Sequence, residues 1–402
     1  MRIGIIGGGA SGLMCAIKAS KNSNNIVTIY EKNNKCGKKI LITGNGRCNY
    51  FNNDFNIEHY NSYNKDILNE IINETNKEKI LNIFNEIGII PKIVNDYYYP
   101  MSGQAITIKQ ALELEAIKNG VKIITDVEIE NIEYNNQFII TSKNNNKYYE
   151  DKIVLATGSK SAPKTGSDGI GYDLARSFGH SIIKPLPALV QLVCKGNIYK
   201  KWTGIRTDVE ITLYEDGKRI TSEFGEIQLT DYGISGICVF QLSGKVVRGL
   251  NDNKKEEIKI NFLPWLNQDI KLFLDKRNKI MKNRSISELL DGLLNYKLVN
   301  IILEKNKIDN SIKYDNLSSN QLNGLINDLI CFNTEIIDSK GFESSQVTSG
   351  GIPLTEININ TFESIKHRNL YIIGELLDVD GNCGGFNLGF AWISGIIAGE
   401  NI

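Results

Sequence analysis

Gly7-Gly8-Gly9-Ala10-Ser11-Gly12 is the stretch on which the fold turns. It fits G-x-G-x-x-G, and its setting gives the motif weight. The apolar strand at residues 2–7 runs into it, and a helix at 11–21 leaves it with Leu13 and Ile17 on one face. A second strand at 26–30 follows and ends in Glu31. In such a unit the first glycine permits a tight turn and the second lets the backbone approach a pyrophosphate. The third lets helix and strand pack closely, while the positive helix end favours the phosphate charge. Glu31 lies nineteen residues past Gly12, where a carboxylate accepts hydrogen bonds from a ribose. The spacing predicts a dinucleotide with a free 2′-hydroxyl, FAD or NAD, and disfavours NADP. A glycine turn without a ligand is the plain alternative, and strand, helix and acid together weigh against it.

Further along, a helix pair is expected at 64–90, a helix at 104–120 closed by Gly120, and strands at 121–125, 127–134, 138–142 and 152–156. After Pro185 and Pro187 strand-like runs dominate from Leu189 to Phe262, with turns at 215–217 and 251–253; residues 268–329 then read as helical. Strand signals return after Gly341, and 388–399 reads as a final helix. The expected organisation is an α/β nucleotide domain from both chain ends (1–187 and 350–402). A β-rich insert (188–265 and 333–349) and a helical insert (266–332) interrupt it.

The 402 residues exceed one ordinary core. Lys+Arg and Asp+Glu number 46 each, so no global field draws the chain to nucleic acid or membrane. No apolar run suits a bilayer span, and Met1-Arg2 leads straight into a strand without a secretory leader, so a cytoplasmic protein without membrane partners is expected. Seven cysteines include no C-x-x-C pair and the three histidines are far apart, so no metal site, disulfide scaffold or dithiol centre is expected.

Two later strand ends choose between FAD and NAD. Ile153-Val154-Leu155-Ala156-Thr157-Gly158 ends in Ala-Thr-Gly, and Leu370-Tyr371-Ile372-Ile373-Gly374-Glu375 ends in Gly-acid. Both resemble the second and third fingerprints of glutathione-reductase-like FAD proteins, with Glu375 where Asp is usual. Lys38-Lys39-Ile40-Leu41-Ile42-Thr43-Gly44-Asn45-Gly46-Arg47-Cys48-Asn49 is more specific. It resembles the signature of the YhiN/BaiN-like (HI0933-like) flavoproteins, also labelled aminoacetone oxidase family FAD-binding enzymes. Residues 156–172, Thr230–Gly236, Val347–Gly351 and Asp378–Leu388 resemble the same family. Asp231 and Ile237 depart from it, standing where many members carry His and Pro.

The resemblance implies a glutathione-reductase-like FAD-binding Rossmann domain with β-rich and helical inserts. It implies FAD contacts from Gly7, Gly9, Ala10, Ser11, Gly12, Glu31, Lys32, Lys39 and Val127, and from Ala156, Thr157, Gly158, Gly374, Glu375 and Asp380. Around the ring it implies Gly44, Gly46, Arg47, Cys48, Asn49, Gly385, Phe386 and Asn387. The physics agrees: Gly44 and Gly46 remove side chains where a planar ring must approach. The helix after Gly385 would bring positive charge to the reduced ring. Gly166–Gly171 also suggests a dinucleotide loop, but no strand leads into it, and it is read as a structural turn before a helix. NAD(P)H is therefore expected as a transient electron donor.

A flavin points to redox chemistry. The resemblance implies reduction of a carbonyl-conjugated C=C bond by hydride from flavin N5. The leading substrate is uridine in large-subunit rRNA, as in a dihydrouridine synthase. The alternatives are a small-molecule enone reductase for steroid-like or bile-acid-like substrates, an amine oxidase, or a non-catalytic flavin-binding protein. For the proton donor, Cys48 and Tyr232 are candidates, with Tyr97, Tyr98 and Tyr99 behind them. Lys195, Lys200, Lys201 and Arg206, and then Lys271, Lys276, Arg277, Lys279, Lys282 and Arg284, form two basic segments (195–206 and 271–284) that could contact rRNA phosphates. A solvated helix face is the plain alternative. Trp202 and Trp265 could stack bases or fill a core.

Overall fold

The run Arg2–Ile6 lies inside a seven-stranded sheet. Its order is Ile357–Asn358, Glu363–Ser364, Leu370–Ile372, Lys152–Leu155, Arg2–Ile6, Ile26–Tyr30 and Lys122–Ile124. The last five pair in parallel, while the first two form an antiparallel edge. Parallel strands are covered on both faces and so read as unbroken apolar runs. Ile3, Ile5, Val154, Leu155, Leu370 and Ile372 are accordingly fully buried. This computed structural model describes residues 1–282 and 284–402.

The last helix, Phe386–Asn401, packs on the first, Ala10–Ala19, through two glycines one turn apart. A Cβ at Gly395 would lie 2.5 Å from the Ser11 carbonyl oxygen, and one at Gly399 would lie 2.6 Å from that of Cys15. The chain's end thereby covers its opening βαβ unit. Helix Ala105–Lys118 stops as its sequence suggests, with Gly120 at φ 81°. The turn at 166–169 precedes helix Ile170–Ser177 and follows no strand.

The chain forms two compact units, Met1–Ala188 with Phe342–Ile402, and Leu189–Gly341. Strand Val347–Gly351 pairs with Ile183–Ala188, so 342–349 belong with the nucleotide unit rather than with the β-rich insert. The second unit holds a closed barrel of Leu192–Cys194, Gly233–Gly236, Lys218–Leu229, Arg206–Glu215, Glu256–Asn261 and Phe332–Ser339. It also holds helices Ile237–Asn251, Ile270–Ile280, Ile286–Leu290, Tyr296–Lys305 and Ser319–Ile330. Barrel and helices therefore share one unit instead of forming two inserts. Helix Ile237–Asn251 corrects the reading of 189–262 as strand-dominated. Its apolar start looks strand-like, but Val239, Leu242, Val246 and Gly249 recur at helical spacing and are buried.

Among the described residues, no helix is long and apolar enough to cross a membrane, and no group of His, Cys, Asp and Glu could hold a metal ion.

Candidate active site and cofactor cleft

The glycine turn is built as its spacing requires. Gly7 has φ 105°, and a Cβ there would lie 2.5 Å from the Ala156 carbonyl oxygen; one at Gly12 would lie 2.0 Å from that of Gly7. Neither position admits a side chain. At Gly9 a Cβ would meet nothing within 4 Å, and the helix it caps has no side-chain cap. A helix start with no side-chain cap and no side chain at its cap residue is the arrangement that receives an anion. Ser11 is buried, with Gly374 (φ 68°) against its hydroxyl.

Glu31 folds onto the same turn. Its Oε2 accepts from Gly8 N at 2.8 Å, and its Oε1 accepts from Asn33 N and Nδ2 at 2.8 and 2.7 Å. A carboxylate offers about four acceptor positions, so one remains for a ribose. Val127 N donates to the Glu31 carbonyl at 3.0 Å, which brings these two residues together. Lys32 pairs with Asp168 at 2.5 Å, an acid outside the sequence-derived set. Ala156 N donates to Ile6 O at 2.9 Å, and Gly158 has φ 70°. Thr157 Oγ1 lies where a side chain on Gly171 would collide with it.

Glu375 and Lys39 meet directly, Oε2 to Nζ at 2.7 Å, and Glu375 Oε1 accepts from Thr348 N at 3.0 Å. The Thr348 hydroxyl lies 2.7 Å from those of Ser159 and Ser161, and Ser345 reaches Ser161 at 2.8 Å. This buried hydroxyl chain fixes the Val347–Gly351 strand beneath Glu375. Sequence reading quoted that strand without finding the chain, because hydroxyls scattered over 159–348 carry no spacing signal.

The signature loop and the C-terminal glycine run form one surface. Gly44, Asn45, Gly46 and Cys48 all have left-handed φ of 55°, 55°, 80° and 57°. Asn52 Nδ2 donates to Gly384 O at 2.8 Å. A Cβ on Gly385 (φ 96°) would lie 2.6 Å from Phe51 O and 3.0 Å from Asn49 Oδ1. That Asn49 oxygen is buried and has no hydrogen-bond partner. Helix Phe386–Asn401 starts here without a side-chain cap. Asn387 spends its side chain on the preceding loop, accepting from Gly381 N at 2.8 Å and donating to Gly381 O at 2.7 Å. Asp380 Oδ2 accepts from Asn61 Nδ2 at 3.1 Å, joining the same loop to residues 60–61. Phe386 is buried and stacked on His59, centroids 4.3 Å apart. The Arg47 guanidinium lies 5.0 Å from the Tyr99 ring centre.

The candidate proton donors fare differently. Cys48 is fully buried, and burial pushes its thiol up to about 12, so it is a neutral packed group. Burial also raises Tyr97 and Tyr98. Tyr232 lies in the barrel unit with the Lys340 ammonium 4.6 Å from its ring centre. Trp202 is core, its Nε1 donating to Thr230 O at 3.0 Å, whereas Trp265 is exposed. Half the cations of the basic segments are paired with nearby acids. Lys195 pairs with Glu335, Lys201 with Glu304, Arg206 with Glu226, Lys271 with Asp275 and Arg284 with Glu288. Arg277 donates to Leu289 O at 2.7 Å. Lys200, Lys276, Lys279 and Lys282 make no ion pair among the described residues.

The HI0933-like protein Rossmann domain family matches residues 1–401. The chain is 36% identical to the 3-dehydro-bile acid delta(4,6)-reductase of Clostridium scindens over 99% of this chain and 98% of that protein. It is 28% identical to the ribosomal RNA dihydrouridine synthase of Haemophilus influenzae, over 97% of this chain and 95% of that protein. The corresponding Escherichia coli enzyme is also 28% identical, with the same coverage of 97% and 95%. Among solved structures, the 3-ketosteroid-delta4-(5alpha)-dehydrogenase of Rhodococcus jostii shares the fold with a TM-score of 0.52 and 13% identity, over 99% of this chain and 96% of that one. The chain therefore belongs to the HI0933-like family, with the Rossmann-like α/β fold of FAD-binding oxidoreductases.

Proposed function

We propose that the chain is an FAD-dependent reductase of carbonyl-conjugated C=C bonds, working in the cytoplasm with NAD(P)H as donor. One observation carries the reading. The unpartnered, buried oxygen of Asn49 lies beside Gly385, at the uncapped start of helix Phe386–Asn401. A planar imide with an N–H donor and a ring able to accept negative charge meets both needs. The open turn at Gly9 suits the pyrophosphate, with Ala10 and Ser11 at the helix start. Glu31, Lys32 and Val127 would hold the adenosine side. Lys39, Glu375, Gly374 and Asp380 would flank the ribityl chain, and Gly44, Gly46, Arg47 and Phe386 the ring. When bound, FAD supplies a two-electron hydride carrier.

The name of the relative at 36% identity favours a small enone as substrate. So does the pairing of half the cations of the basic segments with local acids, which reduces the charge open to a polyanion. The names of the two relatives at 28% identity support the second reading, uridine in large-subunit rRNA, whose C5=C6 bond is likewise conjugated to a carbonyl. The test is to purify the protein, record its flavin absorbance, reduce it anaerobically with NADH or NADPH, and add a 3-oxo-Δ4,6 bile acid. Reoxidation with loss of one conjugated C=C bond per flavin is the expected result. Bound FAD that no donor or substrate reduces would leave a non-catalytic flavoprotein. Loss of dihydrouridine from rRNA of cells lacking the gene would instead select the RNA reading.

A further inference from the structure

We propose that His59, held by Asp54, is the proton donor of this site; the proposal rests on the flavin reading above. The segment around His59 is tied to the C-terminal loop by main chain. Asn382 N donates to His59 O at 2.8 Å, and Tyr60–Asn61 pair with Asp380–Gly381. The imidazole stacks on Phe386, the first residue of the helix that would face the flavin, with an interplanar angle of 20°. Its Nε2 lies 2.7 Å from Asp54 Oδ2, and Nδ1 has no hydrogen-bond partner among the described residues. The side chain is 27% exposed, so the free nitrogen is within reach of solvent or ligand. An imidazole with one nitrogen on a carboxylate and the other free is a proton-transfer arrangement.

Two cysteines and four tyrosines of these loops keep their protons. Burial pushes both Cys48 and Cys383 up to about 12. It raises Tyr50, Tyr60, Tyr97 and Tyr98 as well, and the Tyr60 hydroxyl is spent on Phe386 O at 2.9 Å. Around the pair itself, the His59 hydrogen bond holds Asp54 below the usual carboxylate range, with a smaller contribution from Lys77 on helix Glu74–Glu86. Glu58 is turned to Lys65, 3.8 Å away.

In the reaction, the enone β carbon takes a hydride from reduced FAD, which returns to its oxidised state. The α carbon takes the His59 proton, so a C–H bond forms as an N–H bond breaks. Water reprotonates His59, and hydride from NAD(P)H reduces FAD again.

The chain has three histidines, His59, His180 and His367, so proton NMR can follow each ring. The FAD-loaded protein is titrated oxidised and dithionite-reduced, with His59 assigned by H59Q. We expect the His59 midpoint to rise about one pH unit on reduction, a tenfold change in proton affinity, as negative charge gathers nearby. The midpoints of His180 and His367 should stay fixed. H59Q should keep its FAD and its reduction by NAD(P)H, but reoxidation by a 3-oxo-Δ4,6 bile acid should slow about a hundredfold. A His59 midpoint indifferent to flavin redox state, or an H59Q protein reoxidised at the wild-type rate, overturns the proposal. Wild-type protein that takes up no FAD, or whose reduced flavin the enone does not reoxidise, overturns the reductase reading itself and the proposal with it.

Discussion

At the residue scale, buried polar atoms without partners separate binding from folding. Asn49 Oδ1 is such an atom, placed at a glycine-lined surface. Asn49→Ala removes it without opening a core cavity. FAD affinity should then fall about tenfold, while the melting temperature of the flavin-free protein stays unchanged; reconstitution of apo-protein followed by flavin fluorescence checks this. Glu256 is the contrasting case in the barrel. Both its carboxylate oxygens are buried without partners, and Gly249 makes room for them, since a Cβ there would lie 1.7 Å from Oε1. Burial, then the Glu215 carboxylate opposite it, pushes Glu256 up to about 7 from an ordinary 4.5. The folded state therefore holds a proton that the unfolded chain has released between pH 4.5 and 7. Stability falls as pH rises through that window and levels off above it. Glu256→Gln removes the charge, so its advantage over wild type should grow from near zero at pH 4.5 to on the order of 1–3 kcal/mol at pH 8. Denaturant melts across that range would show it, and a pH-independent difference would refute it.

At the element scale, the contact between the first and last helices joins fold to site. Ala10–Ala19 starts at the glycine turn, and Phe386–Asn401 starts beside the Asn49 loop. Gly395 and Gly399 let the two touch backbone to backbone. In an exposed helix Gly→Ala gains about 1 kcal/mol. At Gly395 the sign should reverse, because the added carbon meets the Ser11 carbonyl. Gly395→Ala should cost about 1–3 kcal/mol and weaken FAD retention, read as a lowered melting temperature and flavin loss on gel filtration. The same elements show what sequence could and could not reveal. The glycine turn, Glu31, the strand ends at 156–158 and 374–375, and the 44–49 loop were legible because each requires particular residues at fixed spacing. Helix Ile237–Asn251 was not, since its first residues suit a strand as well as a helix. The grouping of barrel and helices into one unit depends on non-local pairing, such as Leu192–Cys194 with Phe332–Ser339, which no local pattern announces. His59 ends the single 3₁₀ turn Ile57–His59 and Asp54 lies just before it, and the non-local pairing of 60–61 with 380–381 helps bring them to Phe386.

At the scale of the whole molecule, charge separates what the two substrate readings predict. Formal charge is balanced at 46 against 46, and five of the ten cations in the basic segments are paired with acids. Exposed ion pairs are worth little individually, but each lowers the local potential that a polyanion would feel. A protein that bound rRNA through 195–206 and 271–284 would depend on the five cations outside those pairs, of which Lys200, Lys276, Lys279 and Lys282 also lack the main-chain bond that Arg277 makes to Leu289 O. Reversing these four to Glu should leave small-enone turnover within about twofold of wild type, because exposed, solvent-screened charges contribute little to binding a substrate with at most one charge at physiological salt. The same turnover should be flat between 50 and 200 mM salt. An RNA substrate behaves oppositely: each phosphate contact steepens the fall of affinity with salt, and four reversals would cost several decades. Steady-state rates on a 3-oxo-Δ4,6 bile acid, measured beside filter binding of a large-subunit rRNA fragment for wild type and the quadruple variant, put both expectations on one preparation. Salt-independent enone turnover with salt-sensitive, weak RNA binding supports the small-molecule reading. Tight RNA binding abolished by the four reversals would move the assignment to rRNA.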